Sequence, residues 1–248
     1  MKVSEHKITV PVGGGNAEAV LYSPEDGSAA PGVLFLTDII GMRPANLGMA
    51  RRVAEHGYTV LVPNIFFRVT KLPAFDFTPN FGEEKTMKRL GELRAGLNNE
   101  QMVEDGKTYV DYLLAQKSVK GPRLGVVGYC FTGSMAMRIA AAVPDKIAAA
   151  ASFHGGGLYS DAPDSPHTLL PKIKARLYFG HAKDDRSMPA DAIAMFEDAL
   201  KAWGGKYESE TYPAGHGWTV PDHAGVYDEK EAERHYVKLF GLFDATLK

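Results

Sequence analysis

The chain has 248 residues, 45% hydrophobic and 23% charged, with a formal net charge of −2. That is enough for one large α/β domain or two small ones, with no basic excess to suit a nucleic-acid or anionic-membrane surface. The start MKVSEHKITVPV lacks the order of a secretion signal, no apolar run approaches spanning length, and one cysteine, Cys130, excludes an internal disulfide, so the expectation is a soluble, cytoplasmic protein.

HKITVPV and AEAVLYSP, joined by Gly13-Gly14-Gly15-Asn16, predict an opening antiparallel hairpin. A strand-like run follows the glycines, so they form a turn and not a phosphate loop. Gly32-Val-Leu-Phe-Leu36 is a continuous apolar run between Pro31 and Asp38, as a strand buried on both faces requires. Residues 46–56 have helical spacing and stop at Gly57, and Tyr58-Thr-Val-Leu-Val62 is a second buried strand ended by Pro63. Residues 72–82, with two prolines, read as irregular. Residues 83–97 and 100–115 read as charged, solvent-facing helices. Further strands are expected at 124–127, 147–153, 175–179 and 207–212, separated by helices at 134–142 and 190–203 and closed by one from about 228 to 242. The alternation runs without a linker or repeat. It predicts one α/β domain over 1–248: a doubly wound, mostly parallel sheet with helices on both faces.

Such sheets carry their chemistry on loops at the carboxyl ends of strands, and three strand ends hold reactive residues. Gly128-Tyr-Cys130 follows the Val126-Val127 strand, Asp184 and Asp185 follow Leu177-Tyr-Phe-Gly180, and His216 follows Tyr212-Pro-Ala-Gly215. Nucleophile, acid, histidine is the chain order of α/β-hydrolases. A Gly-x-nucleophile turn between strand and helix needs small neighbours, and it presents the side chain beside free helix N–H groups that stabilise thiolate and oxyanion alike. Read alone, Cys130 is equally a buried filler; with His and Asp at the later strand ends it becomes the candidate nucleophile.

With these motifs the chain resembles the dienelactone hydrolase (carboxymethylenebutenolidase) family, the cysteine-bearing branch of the α/β-hydrolases. The resemblance spans nearly the whole sequence: Asp38-Ile-Ile-Gly41, Pro63-Asn-Ile-Phe-Phe-Arg68, Gly128-Tyr-Cys130, Asp185-Arg-Ser-Met-Pro189 and Tyr212-Pro-Ala-Gly-His-Gly-Trp218. It implies an α/β-hydrolase fold with Cys130 as nucleophile, His216 as base and Asp185 as the acid, because the family's acid lies four residues before a proline. It also implies an oxyanion hole made by the backbone N–H groups of Ile39 and Phe131.

Three positions depart from the family pattern. Thr132 stands where the elbow usually has glycine, and its hydroxyl is free to cap the following helix. Asp38 replaces a glutamate that modulates the resting thiol. No basic residue follows His216, where the family places an arginine for the substrate carboxylate. Arg68 is the replacement candidate among Arg68, Lys71, Lys85, Lys88 and Arg89, with Trp218 as an aromatic pocket wall. His154-Gly-Gly-Gly157 imitates a lipase oxyanion motif but follows a strand beyond the nucleophile, and reads as a turn at the pocket rim.

The expectation is a hydrolase of small activated esters or lactones, free of cofactor and metal. It would work through an acyl-thioester, with a small molecule as its only implied partner and monomer or homodimer undecided. Two readings from other classes stay open: a thiol-based redox protein, and a non-catalytic binding module on the same fold.

Overall fold

The computed structural model describes residues 1–248. β1 (Val3–Val12) and β2 (Gly15–Pro24) form the expected hairpin, with Val10 opposite Ala17 and Val12 opposite Gly15. Its tight turn passes through Gly14 at φ +84°, in the left-handed region that favours glycine. β1 is an edge strand, and the exposed run Glu5-His6-Lys7 charges that edge against further pairing.

β3 (Ala30–Leu36), β4 (Thr59–Pro63), β5 (Val119–Tyr129), β6 (Ile147–Phe153), β7 (Arg176–Ala182) and β8 (Tyr207–Tyr212) complete one eight-stranded sheet in the order β1-β2-β4-β3-β5-β6-β7-β8. The first two pairings from the β1 edge are antiparallel, and every other pairing is parallel. β3 and β6 are buried over their full length, which is why their sequences are continuous apolar or alanine runs rather than alternating ones.

Helices cover both faces. α1 (Pro44–Glu55) and α6 (Glu229–Leu247) pack Met49, Val53, Leu239 and Phe243 into a core with Val33, Val60 and Val127. On the other face, α3 (Asn99–Leu114), α4 (Thr132–Ala142) and α5 (Ala190–Trp203) enclose Val110, Leu113, Ile139, Phe196 and Leu200 with Leu34 and Val126. α2 (Glu84–Ala95) sits over a small satellite cluster of Phe66, Ala74, Phe75, Leu90 and Leu93. No helix is long and apolar enough to cross a membrane.

Two expectations need correction, and one element was not anticipated. α3 is not a solvent-facing helix: Gly106, Tyr109, Val110 and Leu113 form a buried face, and a Cβ on Gly106 would meet Ile139 at 2.5 Å. α6 runs to Leu247, five residues beyond its expected end near 242, because Phe243 and Leu247 pack against the sheet at Gly125. A 3-10 helix at Pro166–Lys172, with prolines at both its start and interior, had no periodic signal to announce it.

Candidate active site

β5 ends at Tyr129, α4 begins at Thr132, and Cys130 lies in the turn between them at φ +59°. A non-glycine residue in that region is strained. Three hydrogen-bond contacts hold it there. The Cys130 N–H points at both the Phe153 carbonyl and Nδ1 of His154, each at 3.1 Å, while its carbonyl accepts from Gly133 at 3.0 Å. The Thr132 hydroxyl accepts from the Tyr129 N–H at 2.9 Å and reaches the carbonyls of Tyr129 (2.8 Å) and Leu36 (3.2 Å). Thr132 therefore ties the elbow back to β3 instead of capping the helix ahead of it, which corrects the expected use of its hydroxyl.

The loops after β7 and β8 bring two more side chains to the elbow. His216 Nε2 lies 3.1 Å from Cys130 Sγ, and His216 Nδ1 lies 2.6 Å from Asp185 Oδ2. Asp185 is 6% exposed, and its other oxygen accepts from the Ser187 N–H (2.8 Å) and hydroxyl (2.7 Å), so the carboxylate is fixed before it meets the imidazole. Asp184, the competing candidate, has a side chain 86% exposed. Burial alone would lower the His216 imidazolium, but Asp185 and Cys130 on its two nitrogens outweigh it and lift it from 6.5 to about 10. Burial raises Asp185, while His216 and Ser187 outweigh that and hold it below the usual carboxylate range.

The backbone N–H groups of Ile39 and Phe131 make no hydrogen bond within the protein. Ile39 is freed because the turn after β3 uses its neighbours: Asp38 Oδ1 accepts from Ile40 N–H at 3.0 Å, and the Asp38 carbonyl accepts from Gly41 N–H at 3.0 Å. Ile39 faces the same cavity as Cys130, and Phe131 follows Cys130 directly.

His154, read from sequence as part of a rim turn, is buried to 1% exposure and lines the cavity. Its Nδ1 faces the Cys130 N–H, so Nδ1 is the acceptor and Nε2 carries the proton toward the Thr219 hydroxyl at 2.8 Å. Burial, with His216 next, holds it well below its ordinary value and hence neutral. Phe81, from the irregular segment, is a second residue that sequence reasoning missed. It is an exposed aromatic ring overhanging the cavity beside His223.

The cavity holds about 160 Å³, walled by Ile39, Ile40, Phe81 and Val220 around Cys130 and His216. That is below the ~300–1,000 Å³ of pockets for drug-sized ligands, so it admits only a small molecule.

Of the remaining sequence candidates, Asp38 reaches the cavity and Arg68 and Trp218 do not. Asp38 lines the cavity, but its oxygens are held by Arg43 at 2.7 and 3.0 Å and by Ile40 N–H, with no hydrogen bond to Cys130. The shorter side chain ends in an ion pair instead of at the thiol. Arg68 does not reach the cavity: its guanidinium pairs with Asp105 at 2.6 and 3.0 Å and also donates to the Gly13 carbonyl. Trp218 is fully buried, stacked on Tyr212 at 4.6 Å and edge-on to His154, and serves as core beneath the site rather than as a wall. No set of three or more His, Cys, Asp or Glu side chains converges as a metal site would require.

Comparison with known proteins matches the family model described as "Dienelactone hydrolase family" over residues 17–247. A candidate carboxymethylenebutenolidase of Synechocystis sp. is 28% identical over 247 residues, covering 97% of this chain and 96% of that protein. The carboxymethylenebutenolidase of Rhodococcus opacus is 25% identical over 226 residues, covering 89% and 84%. Among solved structures, a candidate dienelactone hydrolase of Klebsiella pneumoniae superposes with a TM-score of 0.86 at 21% identity, over 98% of this chain and 99% of its own.

Proposed function

The chain belongs to the dienelactone hydrolase family, and on that premise we propose that it hydrolyses small activated esters or lactones through an acyl-thioester on Cys130. The observation that carries this reading is the unbroken line Cys130 Sγ, His216 Nε2, His216 Nδ1, Asp185 Oδ2, with spacings of 3.1 and 2.6 Å.

The chemistry follows from those contacts. His216, lifted to about 10, takes the proton of the Cys130 thiol across the 3.1 Å contact, and the sulfur attacks as it gives that proton up. The thiolate bonds to the acyl carbon, and the negative charge that develops on the carbonyl oxygen is met by the N–H groups of Ile39 and Phe131. The carbon–oxygen bond to the leaving group then breaks, and His216 protonates the departing oxygen. Sulfur in the thioester carries no charge, so one of the two partners that held the imidazolium is gone. Neutral His216 now takes a proton from water, the hydroxide adds to the thioester, and the thiolate is expelled beside a renewed imidazolium. Thiolate is itself a good leaving group, so acylation favours aryl esters and enol lactones over amides. Asp185 keeps the imidazole in the required orientation throughout.

Titration of the His216 ring by NMR tests the ion pair on which this scheme depends. The wild type is expected to titrate near 10, and Cys130→Ala lower, because the sulfur's hydrogen bond and charge are among the causes of the rise. A folded-state value above the unfolded 6.5 contributes stability that is fully present below pH 6.5 and is lost as pH rises through about 10. Thermal unfolding should therefore show a decline across that window that Asp185→Asn flattens. A His216 ring that titrates near 6.5 whether or not Cys130 is present would contradict the ion pair.

A further inference from the structure

The cation paired with the cavity-lining Asp38 is unusual in how completely it is occupied. Arg43, at the N-terminus of α1, donates from Nε to Asp222 Oδ2 (2.7 Å) and from one terminal nitrogen to Asp38 Oδ2 (3.0 Å) and Asp222 Oδ1 (2.9 Å). Its other terminal nitrogen meets Asp38 Oδ1 (2.7 Å), the Asn46 side-chain oxygen (2.5 Å) and the Gly41 carbonyl (3.1 Å). A guanidinium has five N–H donors, and here six acceptors surround them. One positive charge between two carboxylates leaves one net negative charge, and the carboxylate that lines the cavity, Asp38, is the better buried of the two, at 9% side-chain exposure against 47% for Asp222.

The other charges around the cavity do not offset this. His216 is matched by Asp185 on one nitrogen and by the sulfur on the other. His154 and His223 also line the wall, and burial holds both below their ordinary value. Arg68 is paired with Asp105, Arg89 with Glu92, and Arg186 lines a separate open groove with Asp184 and Thr211. The rest of the wall is Ile39, Ile40, Phe81 and Val220.

We propose that this site selects uncharged acyl groups and rejects substrates bearing a carboxylate, because Asp38 borders the cavity and Arg43 is saturated by Asp38 and Asp222. The selection rests on the reading of Cys130 as nucleophile and narrows its substrate class to neutral lactones and esters. A carboxylate entering the cavity meets Asp38 without a free cationic side chain to pair with, and gives up its hydration for no ion pair. Asp38 and Asp222 act here as specificity-determining residues through the donors they withhold.

The test uses two p-nitrophenyl esters of glutaric acid, one with the far carboxyl free and one with it methylated, each corrected for spontaneous hydrolysis. The wild type is expected to favour the methylated diester by at least ~10-fold in kcat/KM, carried mainly by KM. Asp38→Asn and Asp222→Asn each release donors of Arg43, and each should narrow that preference severalfold by improving KM for the free acid. Asp222 is half exposed, so its variant keeps the test available if Asp38→Asn fails to fold. Equal or better turnover of the free acid by the wild type overturns the proposal, as does a preference that neither variant narrows. If neither ester is cleaved faster by the wild type than by Cys130→Ala, the nucleophile reading itself fails and the selectivity falls with it. That outcome is distinct from turnover without the expected preference.

Discussion

Cys130→Ala lowers kcat/KM for p-nitrophenyl acetate by ~10³-fold or more, equivalent to ~4 kcal/mol of transition-state stabilisation. The loss is expected to be this large because the substitution removes the atom 3.1 Å from His216 Nε2 and leaves no other nucleophile on the line to Asp185. It is expected to come with little change in stability. Alanine and cysteine both carry a Cβ, so both bear the same strain at φ +59°, and the backbone bonds to Phe153, His154 and Gly133 remain. The side-by-side measurement is thus one of chemistry rather than folding. A folded variant that keeps activity within ~10-fold of wild type would remove Cys130 from the reaction.

Gly128→Ala is the second large effect, and it acts through packing. A Cβ at Gly128 would lie 2.1 Å from the Thr132 carbonyl oxygen, 2.5 Å from its carbon and 2.9 Å from Gly133 N. All three are backbone atoms of the first turn of α4, which is itself tied to β3 through the Thr132 hydroxyl, so nothing nearby gives way cheaply. The expected cost is ~3 kcal/mol, the upper part of the range for overpacking. For a chain of this size that is a fall in melting temperature of about 6–12 °C, with activity lost as the elbow tilts. Gly48→Ala is the control: it lies within α1, its added Cβ meets nothing within 4 Å, and helix propensity should make the variant slightly more stable. Equal melting temperatures for Gly128→Ala and wild type would show that the strand–helix crossing is not tight.

What the sequence disclosed, and what it concealed, follow one physical divide. β3 and β6 were legible because burial on both faces leaves an unbroken apolar run that nothing else explains as simply. The residues at the ends of β5, β7 and β8 were legible because parallel sheets concentrate reactive side chains there. α3 was misjudged because its buried face contains Asp105, whose charge reads as solvent-facing until Arg68 is seen beside it. The same pair withdraws Arg68 from the cavity. Arg43 carried no local signal either, since one of its carboxylates, Asp222, lies 179 residues away in the chain. His154 looked like a turn residue because only the fold brings its Nδ1 under the N–H of Cys130. Periodicity and strand-end position can be read along a chain, whereas pairings between distant polar groups cannot. Thr132 shows the same divide: along the chain its hydroxyl reads as a helix cap, and the closeness of β3 draws it to the Leu36 carbonyl instead.

The central claim is that Cys130 carries the acyl group. The most direct measurement is to quench the wild type with acid during turnover of p-nitrophenyl acetate and to map the digest by mass spectrometry. The account predicts an acetyl group on the peptide containing Cys130, formed within the first turnover and absent from Cys130→Ala. Sustained turnover with no acyl group on Cys130, or with the acyl group on another residue, would contradict it.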